Sequence, residues 1–135
     1  MNHFLHSSIS LASRCAAMNR TRIPSSQLRT IVTTLSDEKA VEKFRTINAK
    51  SILYFTATWC PPCKIISPIY EKMSDEFSSI AFGKVDVDDN SDAALDFEIS
   101  AVPTFVLFNG DTATTKFSGA DSEKLKTLVQ ELENN

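Results

Sequence analysis

The sequence predicts a single α/β domain in which a central mixed β-sheet is flanked by helices on both faces. Its 135 residues, 42% of them hydrophobic, suffice for one core and a short appendage. Strand-like apolar runs alternate with segments of helical periodicity in the order β-α-β-α-β-α-β-β-α. Alternation predicts parallel strands covered by helices, and a tight turn between the last two strands adds an antiparallel hairpin.

The elements of the amino-terminal half each have a local signal. Ser36 is the predicted N-cap of the first helix, which ends near Ala49. After Cys63, apolar residues at helical spacing predict a long helix, and Pro68 predicts a kink in it. The predicted strands are 29–35 and 51–56, the apolar face of the first helix is Val41, Phe44 and Ile47, and that of the second is Ile65, Ile66, Ile69, Met73 and Phe77.

The carboxy-terminal half begins with a strand-like segment, 80–87, and a short helix, 92–97. Asn109-Gly110 is a strong turn signal that predicts positive φ angles in a tight hairpin. The hairpin strands are predicted at 104–108 and 112–117, and the closing helix from Asp121 has the apolar residues Leu125, Leu128, Val129 and Leu132.

The first 30 residues differ in composition from the rest of the chain. They contain six serines and four arginines but no lysine and no acidic residue, and Leu5, Ile9 and Ala12 recur at near-helical spacing. This composition is typical of an organelle transit peptide, whereas serines and histidines interrupt the apolar run that a secretory signal needs. We predict that residues 1–30 form a disordered transit peptide that is cleaved near Arg29. The alternative is a disordered tail without a targeting signal. The arginines favour the mitochondrion over the chloroplast.

The predicted domain, residues 31–135, is acidic. From Ser36 onward ten basic residues face seventeen acidic ones, a net charge of −7. Such a surface repels phosphate backbones, and no basic patch with interleaved aromatics is present, so we expect no nucleic-acid binding. The apolar runs are far shorter than the roughly 18 residues of a membrane-spanning helix, so we expect no membrane insertion either.

Histidine chemistry is excluded from the predicted domain. His3, His6 and Cys15 all lie in the leader, which leaves Cys60 and Cys63 as the reactive pair. Catalytic triads and His-liganded zinc therefore cannot be built there, and one cysteine pair does not supply four zinc ligands. Two chains that share a metal or an iron–sulfur cluster remain an alternative.

The Cys60-Pro61-Pro62-Cys63 segment lies between a buried-type strand and the start of a helix. Unpaired N–H groups and the helix dipole stabilise negative charge at that place, so we expect Cys60 to form an unusually good, exposed thiolate. Cys63 lies one turn along and can close onto Cys60 as a disulfide.

The sequence resembles the thioredoxin family from about Arg29 to Leu132. The resemblance is carried by five motifs: Trp59-Cys60-Pro61-Pro62-Cys63-Lys64, Pro68, Val102-Pro103-Thr104, Asn109-Gly110 and Phe117-Ser118-Gly119-Ala120. Three further segments look most like the plant mitochondrial, o-type thioredoxins: Tyr54-Phe55-Thr56-Ala57, Ile66-Ser67-Pro68 and Ser100-Ala101-Val102-Pro103-Thr104.

The resemblance implies a thioredoxin fold and a protein-disulfide reductase without a cofactor. Cys60 is then the nucleophile that forms a mixed disulfide with a target protein, and Cys63 is the resolving cysteine. The implied substrate surface consists of Trp59, Val102, cis Pro103 and Gly119. The implied partners are a thioredoxin reductase and disulfide-containing target proteins, and the implied oligomeric state is a monomer. A disulfide oxidase or isomerase on the same fold, or a non-catalytic module that docks a partner or shares a cluster, remains open.

The sequence departs from the family pattern at two positions. Pro61 replaces the usual glycine, which predicts a stiffer active-site turn. Tyr54 stands where most thioredoxins have a buried aspartate that accepts the proton of the resolving thiol. A neutral phenol is a poor proton acceptor, so we expect water or the departing target thiolate to take the proton of Cys63, aided by an alkaline compartment. Lys84, which matches the lysine usually near that aspartate, is expected to lack its acidic partner.

A second motif, Asp86-Val87-Asp88-Asp89-Asn90, imitates the start of a calcium-binding loop. Ser91 stands where that loop needs glycine, and Phe97 stands where it needs a bidentate acid. We therefore predict a solvated turn.

Overall fold

The computed structural model describes residues 31–135. The predicted leader, with His3, His6 and Cys15, lies outside the described residues, as do the first two residues of the predicted first strand. Nine elements follow within the described part of the chain: β1 (Val32–Thr34), α1 (Glu38–Ile47), β2 (Lys50–Thr56), α2 (Pro61–Glu76), β3 (Ala81–Asp86), α3 (Ser91–Asp96), β4 (Thr104–Asn109), β5 (Thr112–Ser118) and α4 (Ser122–Asn134).

The five strands form one mixed sheet in the order β1-β3-β2-β4-β5. Strands β1, β3 and β2 are parallel, while β4 runs antiparallel to β2 and β5 antiparallel to β4. This arrangement confirms the predicted α/β architecture, because a helix separates each of the three parallel strands from the next along the chain and the last pair of strands is a hairpin.

Each face of the sheet has its own apolar core. Alternation along β2 sends Ile52 and Tyr54 to the face covered by α2 and α4, and Leu53 and Phe55 to the face covered by α1 and α3. All of β2 after its first residue is buried, which explains why its sequence is apolar without alternation. The strand that leads into the cysteine motif is therefore held from both sides.

Helix α1 differs from its prediction in two details. Its N-cap is Asp37 rather than Ser36, because the Asp37 carboxylate accepts a hydrogen bond from the Ala40 N–H at 2.8 Å. Ile47 is 68% exposed, although Val41 and Phe44 are buried. Val41, Phe44 and Ile47 are three residues apart, and each such step falls about 60° short of a full helical turn. Ile47 is therefore rotated by about 120° from Val41 and lies outside the buried face.

Helix α2 begins at Pro61, contains Pro68 and buries Ile66 and Met73 as predicted. Ile65, by contrast, is 68% exposed. Adjacent helical residues lie about 100° apart, so Ile65 and Ile66 cannot share one face.

The hairpin turns over Gly110 and Asp111, because Asn109 is the last residue of β4 and pairs with Thr112. Gly110 has the predicted positive φ, +66°, whereas the prediction of a positive φ at Asn109 is wrong. Within residues 31–135, the remaining boundaries differ from the predicted ones by no more than two residues, as is usual where helix and strand ends fray. None of the helices within 31–135 has both the length and the apolar character needed to cross a bilayer.

Candidate active site

Cys60 and Cys63 are joined by a disulfide at the point where β2 leads into α2, with their Cα atoms 5.3 Å apart. Cys60 is the N-cap of α2, and its Sγ lies 3.2 Å from the Cys63 backbone nitrogen, whose N–H points at the sulfur. Pro61 and Pro62 occupy the first two helical positions and have no N–H, so this amide is the first donor of the helix. Negative charge on the Cys60 sulfur would be stabilised by this amide and the helix dipole.

A loop from the opposite side of β2 covers the disulfide. Its Val102–Pro103 peptide bond is cis, and the Val102 carbonyl oxygen lies 3.7 Å from the Cys60 Sγ. Val102 and Ala57 pack against the two cysteines. Strand order explains the contact, because β4, which follows this loop, is the antiparallel neighbour of β2.

The expected exposure of Cys60 is wrong for this disulfide-bonded state. Cys60 is 3% exposed and Cys63 1% exposed, because each sulfur is covered by the other and by the packing of Ala57 and Val102. Little of the Cys60 surface is therefore open to a partner thiol in this state.

Trp59 is 64% exposed beside the disulfide, which fits the predicted surface role rather than a core role. Its indole N–H donates a hydrogen bond to the Asp88 carboxylate at 2.9 Å. Sequence reasoning missed this partner, because it treated the Asp86–Asn90 run only as a turn. The run does form a turn, in which the Asp88 N–H donates to Asp86 Oδ1 at 2.8 Å and Asn90 caps α3.

The other predicted surface residues lie at the same end of the sheet. Val102 and Gly119 are half-buried, and Pro103 is buried. The Gly119 N–H donates to the Pro103 carbonyl oxygen at 2.9 Å. Gly119 has a φ of +113°, which residues with a side chain rarely adopt, so this contact depends on glycine. Because Pro103 is buried, its side chain adds little to the exposed surface that the resemblance implied.

Tyr54 is part of the aromatic core and also contacts the motif. Its ring is stacked on Phe105, with centroids 4.9 Å apart, and only 1% of the residue is exposed. Its hydroxyl donates to the Cys63 carbonyl oxygen at 3.0 Å and lies 2.8 Å from the Ser67 hydroxyl. Ser67 is a second residue that sequence reasoning missed, although its place one turn after Cys63 in α2 was a usable signal.

An open cleft of about 290 Å³ lies beside Cys63. Its charged lining residues are Lys64, Lys84 and Asp86, and Ser67 lines it as well. No ion pair of Lys84 is found within residues 31–135. In the same part of the chain, no group of three or more His, Cys, Asp or Glu side chains is arranged to hold a metal ion.

Comparisons with known proteins agree with this geometry. The sequence model named Thioredoxin matches residues 31–132. Thioredoxin of sheep (Ovis aries) is 42% identical over 81 residues, which cover 60% of this chain and 77% of the sheep protein.

Two solved structures come from yeast. Mitochondrial thioredoxin 3 of Saccharomyces cerevisiae in its oxidised form is 33% identical, with a TM-score of 0.72 over 75% of this chain and 95% of that one. A chain from a structural study of the thiol-resolving mechanism of yeast mitochondrial 1-Cys peroxiredoxin via the glutathione and thioredoxin systems is 32% identical. Its TM-score is 0.73 over 77% of this chain and 98% of that one. The chain thus belongs to the thioredoxin family, the dithiol–disulfide oxidoreductases that carry electrons on their own cysteine pair and need no further cofactor.

Proposed function

We propose that this protein-disulfide reductase works with Cys60 as the nucleophile and Cys63 as the resolving cysteine. The observation that supports this assignment is the position of the Cys60 sulfur at the N-terminus of α2, where the Cys63 N–H points at it. A thiolate formed there is stabilised before any partner arrives. Both cysteines are buried, and Cys63 lies within the first turn of α2, where it can attack the Cys60 sulfur inside the complex.

The reaction then has two steps. The Cys60 thiolate attacks one sulfur of a target disulfide, forms a mixed disulfide and releases the other target sulfur as a thiolate. Cys63 loses its proton and attacks the Cys60 sulfur, which breaks the mixed disulfide and closes the Cys60–Cys63 bond. The target leaves as a dithiol, and two electrons have moved from the protein to the target.

The target segment is proposed to lie across the indole of Trp59 and the loop around Val102, Pro103 and Gly119. Trp59 offers exposed apolar area, and its hydrogen bond to Asp88 holds the indole in place. Val102 packs directly against the cysteine pair, so a backbone paired with this loop brings its disulfide to Cys60.

The proposed partners are a thioredoxin reductase, which returns the Cys60–Cys63 disulfide to the dithiol, and disulfide-containing proteins. The study of a yeast mitochondrial peroxiredoxin, from which a similar chain comes, supports thiol peroxidases as one target class. We propose that the protein acts as a monomer.

The mitochondrial matrix is the proposed location, with residues 1–30 as the transit peptide and 31–135 as the mature domain. The acid-free, serine- and arginine-rich composition of the leader supports this location, as does the similarity to yeast mitochondrial thioredoxin 3. The motifs around Tyr54, Ser67 and Val102 support the finer assignment to the plant o-type. A fluorescent fusion of residues 1–30 should enter mitochondria, and entry into chloroplasts would contradict the assignment.

Reduction of a model protein disulfide, driven by NADPH and thioredoxin reductase, tests the roles of the cysteines. Cys60→Ser should abolish turnover and form no mixed disulfide. Cys63→Ser should also abolish turnover but accumulate the mixed disulfide with the target. Cys15→Ser is the matched control and should keep full activity. Turnover that survives Cys60→Ser would contradict the proposal.

A further inference from the structure

Resolution of the mixed disulfide requires that the Cys63 thiol lose a proton, and Tyr54 is unsuited to accept it. The one proton of the Tyr54 hydroxyl is donated to the Cys63 carbonyl oxygen, and the Ser67 hydroxyl can donate to the phenol oxygen in turn. A neutral phenol is also a weak base. The Tyr54 hydroxyl therefore positions the first turn of α2 and leaves the proton transfer to another group.

The cleft beside Cys63 contains such a group. Its volume of about 290 Å³ is large against the roughly 30 Å³ that one water molecule occupies in the liquid, so it has room for a short chain of water. Asp86 is the one carboxylate among the described residues that line the cleft. It ends β3 opposite Thr56 of β2, four residues before Cys60, so the sheet holds the carboxylate next to the motif.

The Asp86 carboxylate has a free acceptor site. Oδ1 accepts the Asp88 N–H at 2.8 Å, and no hydrogen bond to Oδ2 is found within the described chain. The residue is half-buried, so water can reach this carboxylate. Lys64 and Lys84 face the same cleft and place positive charge near Cys63, which favours a thiolate there.

We propose that Asp86 accepts the proton of Cys63 through water in this cleft, in place of the missing acid at Tyr54. The inference rests on the proposed roles of Cys60 and Cys63. The proton passes from the Cys63 thiol through water to the Asp86 carboxylate as the Cys63 sulfur attacks Cys60. The Cys60–target bond breaks, the target sulfur leaves as a thiolate, and the proton then returns from Asp86 to solvent or to that thiolate.

The reaction of the reduced protein with 5,5′-dithiobis(2-nitrobenzoate) separates the two steps. Attack by Cys60 releases the first thionitrobenzoate, and attack by Cys63 on the resulting mixed disulfide releases the second. Stopped-flow absorbance should be recorded from acid to alkaline pH for the wild type, Asp86→Asn, Asp86→Glu and Asp89→Asn. Asn at position 86 can still accept the Asp88 N–H, so the turn is preserved, and thermal unfolding verifies this.

Asp86→Asn should slow the second phase at neutral pH by about tenfold or more and leave the first phase unchanged. The difference should vanish at alkaline pH, where solvent removes the Cys63 proton. Asp86→Glu should retain most of the rate. Asp89→Asn, which removes an equal charge from an exposed residue outside the cleft, should behave as the wild type.

A second phase that is unchanged or faster in Asp86→Asn would overturn the proposal. If Asp86 acted only through its negative charge, its removal would make the Cys63 thiol easier to ionise and the second phase faster. Loss of the first phase in the wild type would instead contradict the role of Cys60, on which the inference rests. The two failures are therefore distinguishable.

Discussion

The Tyr54 side chain combines a buried aromatic ring with a hydroxyl that reaches the active-site helix. Tyr54→Phe keeps the stacking on Phe105 but leaves the Cys63 carbonyl without this donor. We expect the free energy of unfolding to fall by about 1–2 kcal/mol. Tyr54→Asp supplies a carboxylate and should accelerate resolution near neutral pH, but it removes the ring and should cost about 3–5 kcal/mol.

Chemical denaturation and the thiol-reagent kinetics described above measure the two effects of these Tyr54 variants separately. An unchanged resolution rate in a folded Tyr54→Asp variant would show that this position does not limit the step. An unfolding free energy of Tyr54→Phe equal to that of the wild type would show that the hydroxyl contact contributes nothing.

The contact between Trp59 and Asp88 predicts a change in target binding. Asp88→Ala removes the acceptor of the indole N–H and frees the exposed ring. We expect KM for a protein disulfide to rise by about three- to tenfold with little change in kcat, because the lost contact positions the target rather than the sulfur. Asp88→Asn can still accept the bond and serves as the conservative control. A fall in kcat at constant KM would contradict this role.

Between elements, the contact of α1 with α3 predicts a pH dependence. The pKa of Glu38 is raised by a side-chain hydrogen bond with Asp96 and by the negative charges of Asp96, Asp92 and Glu42. The pKa of Glu38 is higher in the folded than in the unfolded chain, so protonated Glu38 stabilises the fold. This stabilisation is fully present at pH values below the ordinary glutamate pKa. It is lost as the pH rises through the raised value.

Glu38→Gln should remove this loss, because the glutamine amide can donate to Asp96 at every pH. The melting temperature of the variant should therefore exceed that of the wild type at neutral pH, and the difference should shrink as the solution is acidified. If the difference in melting temperature between Glu38→Gln and the wild type is the same at all pH values, the two carboxyl groups do not share a proton.

The packing of α1 on β3 depends on Gly83. A Cβ at this position would lie 2.9 Å from both Leu35 Cδ1 and Phe44 Cε1, which is closer than such atoms approach. Gly83→Ala should lower the free energy of unfolding by about 1–3 kcal/mol through overpacking. A double-mutant cycle with Phe44→Leu should show positive coupling, because the shorter side chain makes room. Strictly additive effects would contradict the steric explanation.

Across the domain, the sheet order explains why one end of the molecule carries the chemistry. Strand β2 lies between β3 and β4, so the cysteine motif after β2 meets the Asp86–Asn90 turn after β3 and the Val102–Pro103 loop before β4. Parallel β2 and β3 end at the same edge, and antiparallel β4 begins there. Three separate segments thereby supply one site.

We predict that residues 31–135 fold without residues 1–30, because residues within this range form an apolar core on each face of the sheet. A chain that begins at Ile31 should keep the melting temperature and the reductase activity of the full chain. Differential scanning calorimetry and the insulin-type reduction assay check the two expectations. A markedly lower melting temperature would show that residues 1–30 contribute to the fold.

Local pattern sufficed for the order of the nine elements, for the cysteine pair at the start of α2 and for the turn at Gly110. These features depend on side-chain periodicity and on residues a few positions apart, which a single sequence displays directly. The same reasoning placed Ile47 and Ile65 on buried faces, because apolar spacing alone does not define how wide a buried face is.

The contacts that complete the site needed the three-dimensional arrangement. Trp59 and Asp88 are 29 residues apart, and Cys60 and Val102 are 42 apart. The burial of Cys60 and the shared cleft of Cys63 and Asp86 likewise depend on which strands are neighbours. Strand order follows from the packing of both cores at once, and no local stretch of sequence contains that information.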